Sequence, residues 1–337
     1  MKMNHFVLGV FFLSIQTFAS DNVSIYFTPF PNHQPVIDGI NKASKSVQMV
    51  MFHLEDKAVE QALIDARARG LQVDVILDGL SLGLPWLSSG KKRLEKAGVH
   101  VVASSKAFKI THQKTVVIDH RTAYITSMNL TKKPSVQRDW GIITEDQKII
   151  AEMNLVFEQD LKNAATGDSQ TPTLTETHLL WSPVNAKEKL IAFIASAKST
   201  IDSTVENLGN AEILAAFSAA AARGVKIRLI VPYCDIALSP QHNLPFAEQL
   251  VKSKVEARLM PDPQTPEQPY MHAKMILVDH KKAYVGSVNF SDNSLLRSRE
   301  AGLIFENAEA NSVIENEFEK DWTHSLDPSG PFPNCGK

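Results

Sequence analysis

The stretch that decides the fold is His272-Ala273-Lys274, followed by Asp279 and then by Gly286-Ser287-Val288-Asn289. The same pattern occurs earlier in the chain as His112-Gln113-Lys114, Asp119 and Thr126-Ser127-Met128-Asn129. In both copies Lys follows His by two residues, Asp follows Lys by five, and Asn follows Asp by ten. A single such pair could be a polar surface feature, but two matching copies are hard to explain in that way. We therefore expect both copies to contribute to one site.

The residues between His and Asn predict a β-hairpin in each copy. Residues 115–118 and 275–278 are apolar and β-favouring. The Asp that follows each run is typical of a turn. Alternate side chains of a strand share a face, so the His and Lys of each copy should point the same way. The hairpin would then return the Asn beside them.

These residue types suit an anionic tetrahedral group such as a phosphodiester. Lys supplies a point charge for phosphate oxygens, and Asn donates amide hydrogens. Small residues before the Asn allow backbone N–H groups to approach. His can serve as a nucleophile or as a general acid near neutral pH. The candidate phosphate ligands are the two lysines together with Asn129, Asn289, Ser127 and Ser287.

The pattern resembles the signature of the phospholipase D superfamily, which is His-x-Lys, four residues, Asp, six residues and Gly-Ser-x-Asn. The second copy matches it fully, whereas the first has Thr126 where Gly is usual. Thr is still small, so this departure concerns the local backbone more than the chemistry. The resemblance covers nearly the whole chain after residue 20. It implies an α/β fold of two similar halves, each a mixed β-sheet flanked by helices, related by pseudo-two-fold symmetry.

The resemblance also implies a mechanism without a metal or cofactor. One His forms a covalent phosphohistidine while the other protonates the leaving alcohol. It suggests His112 as the nucleophile and His272 as the acid, although the two copies are nearly symmetric. The carboxylates expected to orient the histidines are Asp139 and Glu300. The catalytic candidates are His112, Lys114, Asp119, His272, Lys274 and Asp279, although the turn positions of the two Asp residues favour a structural role.

The chain also shows an internal duplication outside the motifs. Residues 25–29 correspond to 179–183, and a Phe-Glu-x-Asp sequence occurs at 157–160 and again at 318–321. The predicted organisation is a first half over 21–165, a polar linker over 166–177, and a second half over 178–337 that ends in a Pro/Gly-rich tail.

Residues 1–20 have the features of a secretory signal peptide. Lys2 precedes an apolar run over 6–15 and small residues over 17–20. The run is about ten residues, half of what a membrane span needs. We expect an exported protein, secreted or periplasmic. The chain has two cysteines, Cys234 and Cys335, which either pair in an oxidising compartment or remain a buried thiol and a free tail thiol.

The charge and motif content of the chain bear on whether its substrate is a phospholipid or a nucleic acid. The net charge is −2, and no basic, aromatic-interleaved stripe typical of nucleic-acid binders is present. No zinc, calcium or phosphate-loop spacing occurs, so no metal or cofactor is expected. The leading hypothesis is a monomeric phosphodiesterase that acts on phospholipid at a membrane surface. It would release phosphatidic acid and the head-group alcohol, or transfer the phosphatidyl group to another alcohol. The alternative is a metal-independent nuclease acting on DNA or RNA.

One apolar segment bears on the lipid hypothesis. Residues 79–87 include Leu82, Leu84 and Trp86 and are interrupted by Gly and Pro. Such a loop after a sheet strand either faces acyl chains at the mouth of a site or packs beneath itself.

Overall fold

The computed structural model describes residues 22–29, 33–131, 136–235, 238–239, 241–262, 264–332 and 334–335. The predicted signal peptide, residues 1–20, lies outside this part of the chain. Among the helices of the described residues, none combines the length and apolarity that a bilayer crossing requires.

The first half alternates strands with amphipathic helices and ends in a long helix. Asp56 caps the second helix, because its side chain accepts a hydrogen bond from the Ala58 N–H at 2.7 Å. The elements are β1 (Val23–Phe27), α1 (Gln34–Lys42), β2 (Ser46–Met51), α2 (Lys57–Ala68), β3 (Gln72–Leu77), α3 (Pro85–Lys96), β4 (His100–Ala103), β5 (Lys114–Ile118), β6 (Thr122–Thr126), β7 (Gln137–Arg138), β8 (Trp140–Thr144) and α4 (Gln147–Thr166).

The second half repeats this order after an irregular connection that Glu152 pins through the N–H groups of Thr175 and Glu176. One short helix, α8, is added before the last strand. The elements are β9 (Leu179–Ser182), α5 (Ala186–Ala195), β10 (Thr200–Val205), α6 (Ala211–Ala222), β11 (Lys226–Pro232), α7 (Leu244–Lys252), β12 (Glu256–Met260), β13 (Tyr270–Met271), β14 (Lys274–Val278), β15 (Lys282–Gly286), α8 (Asp292–Leu296), β16 (Glu300–Phe305) and α9 (Ala308–His324).

Each half contains a seven-stranded mixed sheet with the same topology. The strand order is β1-β8-β6-β5-β2-β3-β4 in the first half and β9-β16-β15-β14-β10-β11-β12 in the second. Strands β2, β3 and β4 run parallel, whereas β5 and β6 form an antiparallel hairpin that carries the first motif. Strands β14 and β15 form the equivalent hairpin of the second motif. The predicted α/β fold and both motif hairpins are therefore confirmed.

The two sheets share a hydrophobic core that continues from one half to the other. Ile125 and Trp140 of the first half belong to the same buried cluster as Met275 and Val285 of the second. Helices α4 and α9 complete this cluster, while separate cores lie beneath α1–α3 and α5–α7. A common core fixes the two motifs relative to each other, because it resists any displacement of one sheet across the other.

Backbone hydrogen bonds also cross between the halves beside the motifs. Strands β7 and β13 pair in parallel, with Met271 opposite Arg138. The N–H of His112 donates to the carbonyl of Arg299 at 2.9 Å. Met271, next to His272, and His112 itself are thus tied to the segments that carry the other half's predicted carboxylates.

Two buried ion pairs reinforce this crossing. The guanidinium of Arg138 donates to both carboxylate oxygens of Asp321, at 2.7 and 2.8 Å. The Nε of Arg299 donates to Asp160 at 2.9 Å. Each Asp is the last residue of the repeated Phe-Glu-x-Asp sequence, and each Arg directly precedes a predicted His-orienting carboxylate. The final helix of each half therefore helps to position the other half's share of the site.

The C-terminal segment is fastened to the second half by a disulfide between Cys234 and Cys335. The ring of Phe332 stacks on Tyr233 with 4.1 Å between centroids. Of the two alternatives for the cysteines, pairing is the one that the structure shows. The bond anchors the chain directly after β11.

Candidate active site

A cleft of about 1070 Å³ opens where the two motifs meet. Both motif histidines and both motif asparagines line it, and Lys114 and Lys274 lie buried beside them. The cleft is lined by both apolar and polar residues. The apolar lining residues are Phe52, Ile110, Leu208, Leu238 and Phe246, and the carboxylates are Glu55, Glu206, Asp292 and Glu300.

The two motif histidines are each held by a carboxylate of the opposite half. The Nδ1 of His112 lies 2.9 Å from Oε2 of Glu300, and the Nδ1 of His272 lies 2.7 Å from Oδ1 of Asp139. These contacts occupy Nδ1 of each ring, so Nε2 is the nitrogen that can meet a substrate, although Nε2 of His272 also has Glu206 at 3.6 Å. Asp139 and Glu300 therefore occupy the orienting positions predicted for them, and the pairing is crossed between the halves.

The surroundings of His112 favour the neutral imidazole. Burial lowers its pKa well below the usual value, and Lys114 and Lys274 lower it further. Burial also raises the pKa of its partner Glu300 to about 7. A neutral ring with a free Nε2 has the lone pair that a nucleophile needs.

The two lysines have different neighbours although they occupy equivalent strand positions. The Nζ of Lys114 donates to the carbonyl of His112 at 2.6 Å and lies 5.1 Å from the ring centroid of Phe52. Burial and the charge of Lys274 lower the pKa of Lys114 to about 7. The Nζ of Lys274 makes the equivalent bond to the carbonyl of His272 and also lies 2.8 Å from a carboxylate oxygen of Glu206. Only the second lysine therefore has its charge balanced by an adjacent carboxylate.

Glu206 is a buried carboxylate at the base of the cleft. Its Oε1 accepts from the hydroxyl of Tyr270 at 3.1 Å, and its Oε2 lies 3.6 Å from Nε2 of His272. The amide of Asn289 also approaches Oε2, at 3.4 Å. Burial works to raise the pKa of Glu206, but His272 and Lys274 outweigh it and lower the pKa. Glu206 is therefore anionic at neutral pH.

Comparison with known proteins agrees with this geometry. The family model described as "Cardiolipin synthase, PLD-like domain" matches residues 36–161 and 190–322. The two matched segments together cover well over half of the chain, and each contains one motif. This chain belongs to the phospholipase D superfamily.

Similar superfamily members include lipid enzymes. Cardiolipin synthase A of Buchnera aphidicola is 26% identical over 323 residues, covering 82% of this chain and 64% of that protein. Phospholipase D Z of Dictyostelium discoideum is 23% identical, covering 86% of this chain and 84% of that protein. The chain thus spans a little under two thirds of the cardiolipin synthase.

Two solved structures have a similar fold. Phosphatidylserine synthase of Haemophilus influenzae has a TM-score of 0.66 at 13% identity, covering 90% of this chain and 87% of that chain. Polyphosphate kinase of Porphyromonas gingivalis has a TM-score of 0.67 at 16% identity, covering 91% of this chain and 49% of that chain. At these identities the likeness concerns the fold alone.

The phospholipase D motif serines have a different position from the one predicted. Ser127 and Ser287 are fully buried behind the cleft. Ser127 donates to Asp139 at 2.6 Å, and the Ser287 hydroxyl lies 3.3 Å from the backbone N of Ala301. Their assignment as phosphate ligands is corrected accordingly. The Ser127 hydroxyl bonds to the orienting carboxylate Asp139, and the Ser287 hydroxyl lies beside β16, which carries Glu300. The two motif asparagines do line the cleft as expected.

The motif aspartates lie away from the cleft. Asp119 and Asp279 lie at the end of each hairpin strand opposite to the motif lysine. Asp119 accepts the N–H groups of residues 44–46, and Asp279 accepts those of residues 198–200. The two aspartates hold the hairpin turn and do not face the reacting groups, which agrees with the structural role that their turn positions favoured over a catalytic one.

Several cleft residues were missed by the motif analysis, among them His53, His242 and Glu206. His53 and His242 resemble scattered structural histidines in the sequence, but both line the cleft. Burial lowers the pKa of His53 to about 4, and its ring stacks on Phe52 with 4.1 Å between centroids. The third residue is Glu206. Its only sequence signal is that it occupies the position equivalent to Phe52 at the end of the corresponding strand.

The apolar segment 79–87 lies outside the residues that line the cleft. Leu82 packs against the core of the first half, which is the packing alternative given for this segment. Leu84 and Trp86 are 36% and 48% exposed. The apolar residues that line the cleft come instead from both halves and include Phe52, Ile110, Leu238 and Phe246.

Proposed function

We propose that this chain cleaves the head group from glycerophospholipids through a covalent phosphohistidine intermediate, with an alcohol able to replace water as the acceptor. The observation that carries the proposal is the cleft itself. It combines both complete motifs with the apolar lining residues Ile110, Leu238 and Phe246. An apolar wall beside a phosphate site suits the glycerol and acyl part of a lipid.

Charge at the cleft favours a lipid over a nucleic acid. Glu55 and Asp292 are part of the lining, whereas no lysine or arginine occurs among the described residues that line it. A polyanion needs a basic track for its neighbouring phosphates, because phosphate contacts supply most of its affinity. A lipid presents a single phosphodiester, which Lys114 and Lys274 can receive at the base of the cleft.

In the first step, Nε2 of His112 attacks phosphorus and the bond from phosphorus to the head-group oxygen breaks. His272 gives its proton to that oxygen, so a neutral alcohol leaves. In the second step, His272 takes a proton from water as the water attacks phosphorus, and the bond to His112 breaks. The products are phosphatidic acid and the free alcohol. Both lysines and both motif asparagines hold the non-bridging oxygens as their charge changes.

We also propose that the protein is exported and works on a membrane surface outside the cytoplasm. Support comes from the signal-like sequence at residues 1–20 and from the disulfide between Cys234 and Cys335. Disulfides of this kind persist in oxidising compartments. Fractionation of cells that express the full chain, followed by thiol labelling with and without reductant, tests this part. Recovery in the cytosol with both thiols reduced would refute it.

The test of the activity offers several phosphodiesters to the purified protein in parallel. Vesicles of phosphatidylethanolamine, phosphatidylglycerol and phosphatidylcholine are compared with single- and double-stranded DNA and with RNA, with glycerol added or omitted. We expect phosphatidic acid and free head group by mass spectrometry, and a phosphatidyl-alcohol when glycerol is present. A His112→Ala variant is the control. Nucleic acid cleavage without lipid turnover would replace this proposal with the nuclease alternative.

A further inference from the structure

An apolar patch is exposed on the segment 79–87, outside the cleft. It consists of the side chains of Leu80, Leu84 and Trp86, and Leu80 is 67% exposed. Nine large apolar residues are exposed in the part of the chain that the structure describes, and these three lie within a stretch of seven residues. Single exposed apolar residues are ordinary, whereas a group that includes Trp indicates a surface that contacts another apolar phase or molecule.

The patch lies at the same edge of the sheet as the cleft. Strands β2 and β3 are parallel, so their carboxyl ends meet at this edge. Phe52 and His53, which directly follow β2, line the cleft, and the segment 79–87 begins two residues after the end of β3. Strand β11 is the counterpart of β3 in the second half, and the chain after it provides Leu238 to the cleft. The patch therefore lies beside the cleft.

Two contacts connect the segment to the reacting groups. The buried carboxylate of Asp78 accepts the N–H of Ser81 through one oxygen and the N–H of Thr111 through the other, both at 2.7 Å. Thr111 directly precedes His112. The hydroxyl of Ser81 also lies 3.2 Å from Nε2 of His53. A surface that held the patch would therefore also hold His112 at a fixed distance.

A basic cavity of about 400 Å³ adjoins the patch. Its lining includes Leu80 of the patch and the exposed lysines Lys106 and Lys109. Among the described residues that line it, Asp78 is the one carboxylate, and both of its oxygens accept backbone N–H groups. The cavity therefore suits anions at the border of an apolar surface.

A bilayer that contains anionic lipids offers both kinds of contact together. Its acyl chains suit the apolar patch, and its phosphates suit the lysines of the basic cavity. Trp and Lys are the residues that typically lie at the boundary between the two regions. A symmetric contact between two copies through the patch would instead bring two pairs of lysines towards each other, which like-charge repulsion opposes.

We propose that the apolar patch and the basic cavity form a docking surface for a bilayer containing anionic phospholipids, separate from the cleft that takes the reacting phosphodiester. This inference rests on the proposed action on membrane lipid. The patch enters the boundary between head groups and acyl chains, and Lys106 and Lys109 bind lipid phosphates. Docking keeps the cleft beside the bilayer, so it lowers KM for bilayer lipid and leaves the cleavage of a soluble ester unchanged.

Vesicle sedimentation tests docking without turnover when every variant also carries His112→Ala. The vesicles contain phosphatidylcholine alone or mixed with phosphatidylglycerol. We expect binding to the mixed vesicles that weakens as salt rises. Leu80→Gln, Trp86→Gln should lower the partition coefficient about tenfold or more, because two apolar side chains no longer leave water. Lys106→Gln, Lys109→Gln should lower it about fivefold for each lysine.

Matched controls remove the same groups elsewhere. Lys198→Gln, Lys281→Gln removes two charges from a cavity of about 440 Å³ at the turn of the second motif hairpin. Leu155→Gln, Val251→Gln removes two exposed apolar side chains from α4 and α7. Both should bind the mixed vesicles as the parent protein does. A loss in the controls equal to that in the patch variants would overturn the proposal.

The fluorescence of Trp86 provides a direct readout of insertion. Of the four tryptophans, Trp140 and Trp181 are fully buried, Trp322 is partly buried, and Trp86 is exposed. Mixed vesicles with brominated acyl chains should quench the emission, and Trp86→Gln should abolish this quenching. Quenching that persists in Trp86→Gln would contradict insertion of the patch.

The remaining outcomes separate docking from the proposed function. Wild-type dimerisation that Leu80→Gln, Trp86→Gln abolishes, without vesicle binding, would assign the patch to a second copy and overturn the proposal. The patch variants should raise KM for vesicle lipid and cleave dihexanoyl phosphatidylethanolamine at the wild-type rate. Lipid cleavage without docking refutes the docking surface alone. Docking without lipid cleavage by the wild type supports the docking surface and refutes the proposed function.

Discussion

At the scale of single residues, the motif aspartates show how a sequence signature can serve the fold. Asp119 and His120 both have positive φ, 54° and 53°, as do Asp279 and His280, 51° and 56°. Two consecutive residues in the left-handed region are typical of tight hairpin turns, whose twist matches that of the two flanking strands. Asp tolerates this conformation. The carboxylates then satisfy the N–H groups that lead into β2 and β10.

These carboxylates predict a dependence of stability on acid pH. Burial works to raise their pKa, but the backbone hydrogen bonds outweigh it and lower the pKa of Asp119 and of Asp279 to about 2 each. An unfolded Asp has a pKa of about 3.9. Since the folded value is lower, this stabilisation is present above about pH 4 and is lost as the pH falls towards 2.

The matched substitution is Asp to Asn, because Asn also tolerates the left-handed turn. Urea unfolding of an Asp119→Asn, Asp279→Asn double variant should show lower stability than the wild type at pH 7, with the gap closing near pH 2. Turnover of the folded variant at pH 7 should stay close to the wild type. A gap that does not change with pH would show that the carboxylate charges are not responsible.

At the scale of secondary-structure elements, the crossing of the carboxylates is the feature that the sequence leaves open. The motif spacing predicts the hairpins and places His and Lys on one face, because both follow from the periodicity of a strand. Asp139 and Glu300 each follow their own motif by similar distances, so pairing within a half fits the sequence equally well. The crossing depends on the parallel pairing of β7 with β13 and on the contact of His112 with Arg299. Neither contact has a local signal.

The crossing predicts different kinetic defects for the two carboxylates. Asp139→Asn should impair the acid role of His272, so its loss should shrink on a substrate with a p-nitrophenyl leaving group. Glu300→Gln should impair His112, and its loss should persist on both kinds of substrate with less phosphoenzyme formed. Quench-flow measurement of the adduct separates the two. Pairing within each half would exchange these two outcomes.

The ion pairs between the halves give a prediction about stability. Arg138 and Asp321 are 3% and 1% exposed. Removing one partner of a buried pair leaves an uncompensated charge, which costs about 3–5 kcal/mol. Arg138→Met should therefore lower the free energy of unfolding by about this amount. The double variant Arg138→Met, Asp321→Leu should lose less than the sum of the single changes, as measured by urea unfolding.

A control for this prediction is the Lys91–Glu95 pair on α3, which is partly exposed at both ends. Surface pairs contribute about 0–1 kcal/mol, so Lys91→Met should have little effect. Additive losses at Arg138 and Asp321 would mean that the two side chains contribute independently.

At the scale of the whole molecule, one chain supplies every group of the site, and the C-terminal segment braces one of its walls. The disulfide closes a loop with a sequence separation of 101 residues. Cys234 directly precedes the segment that provides Leu238 and His242 to the cleft. The stacking of Phe332 on Tyr233 adds to this brace. The tail is thus connected to the apolar wall of the cleft, although it lies outside both motifs.

Reduction of the disulfide should therefore affect both stability and lipid turnover. Chain-entropy arguments give about 4–5 kcal/mol for a loop of this length, so Cys234→Ala, Cys335→Ala should lower the melting temperature clearly. Loosening the wall should raise KM for vesicle lipid more than KM for a short-chain soluble ester, because the motif groups stay in place. The wild type treated with dithiothreitol should match the double variant, and dithiothreitol should not change the double variant further. A reduced wild type with unaltered melting temperature and KM would show that the tail does not brace the cleft.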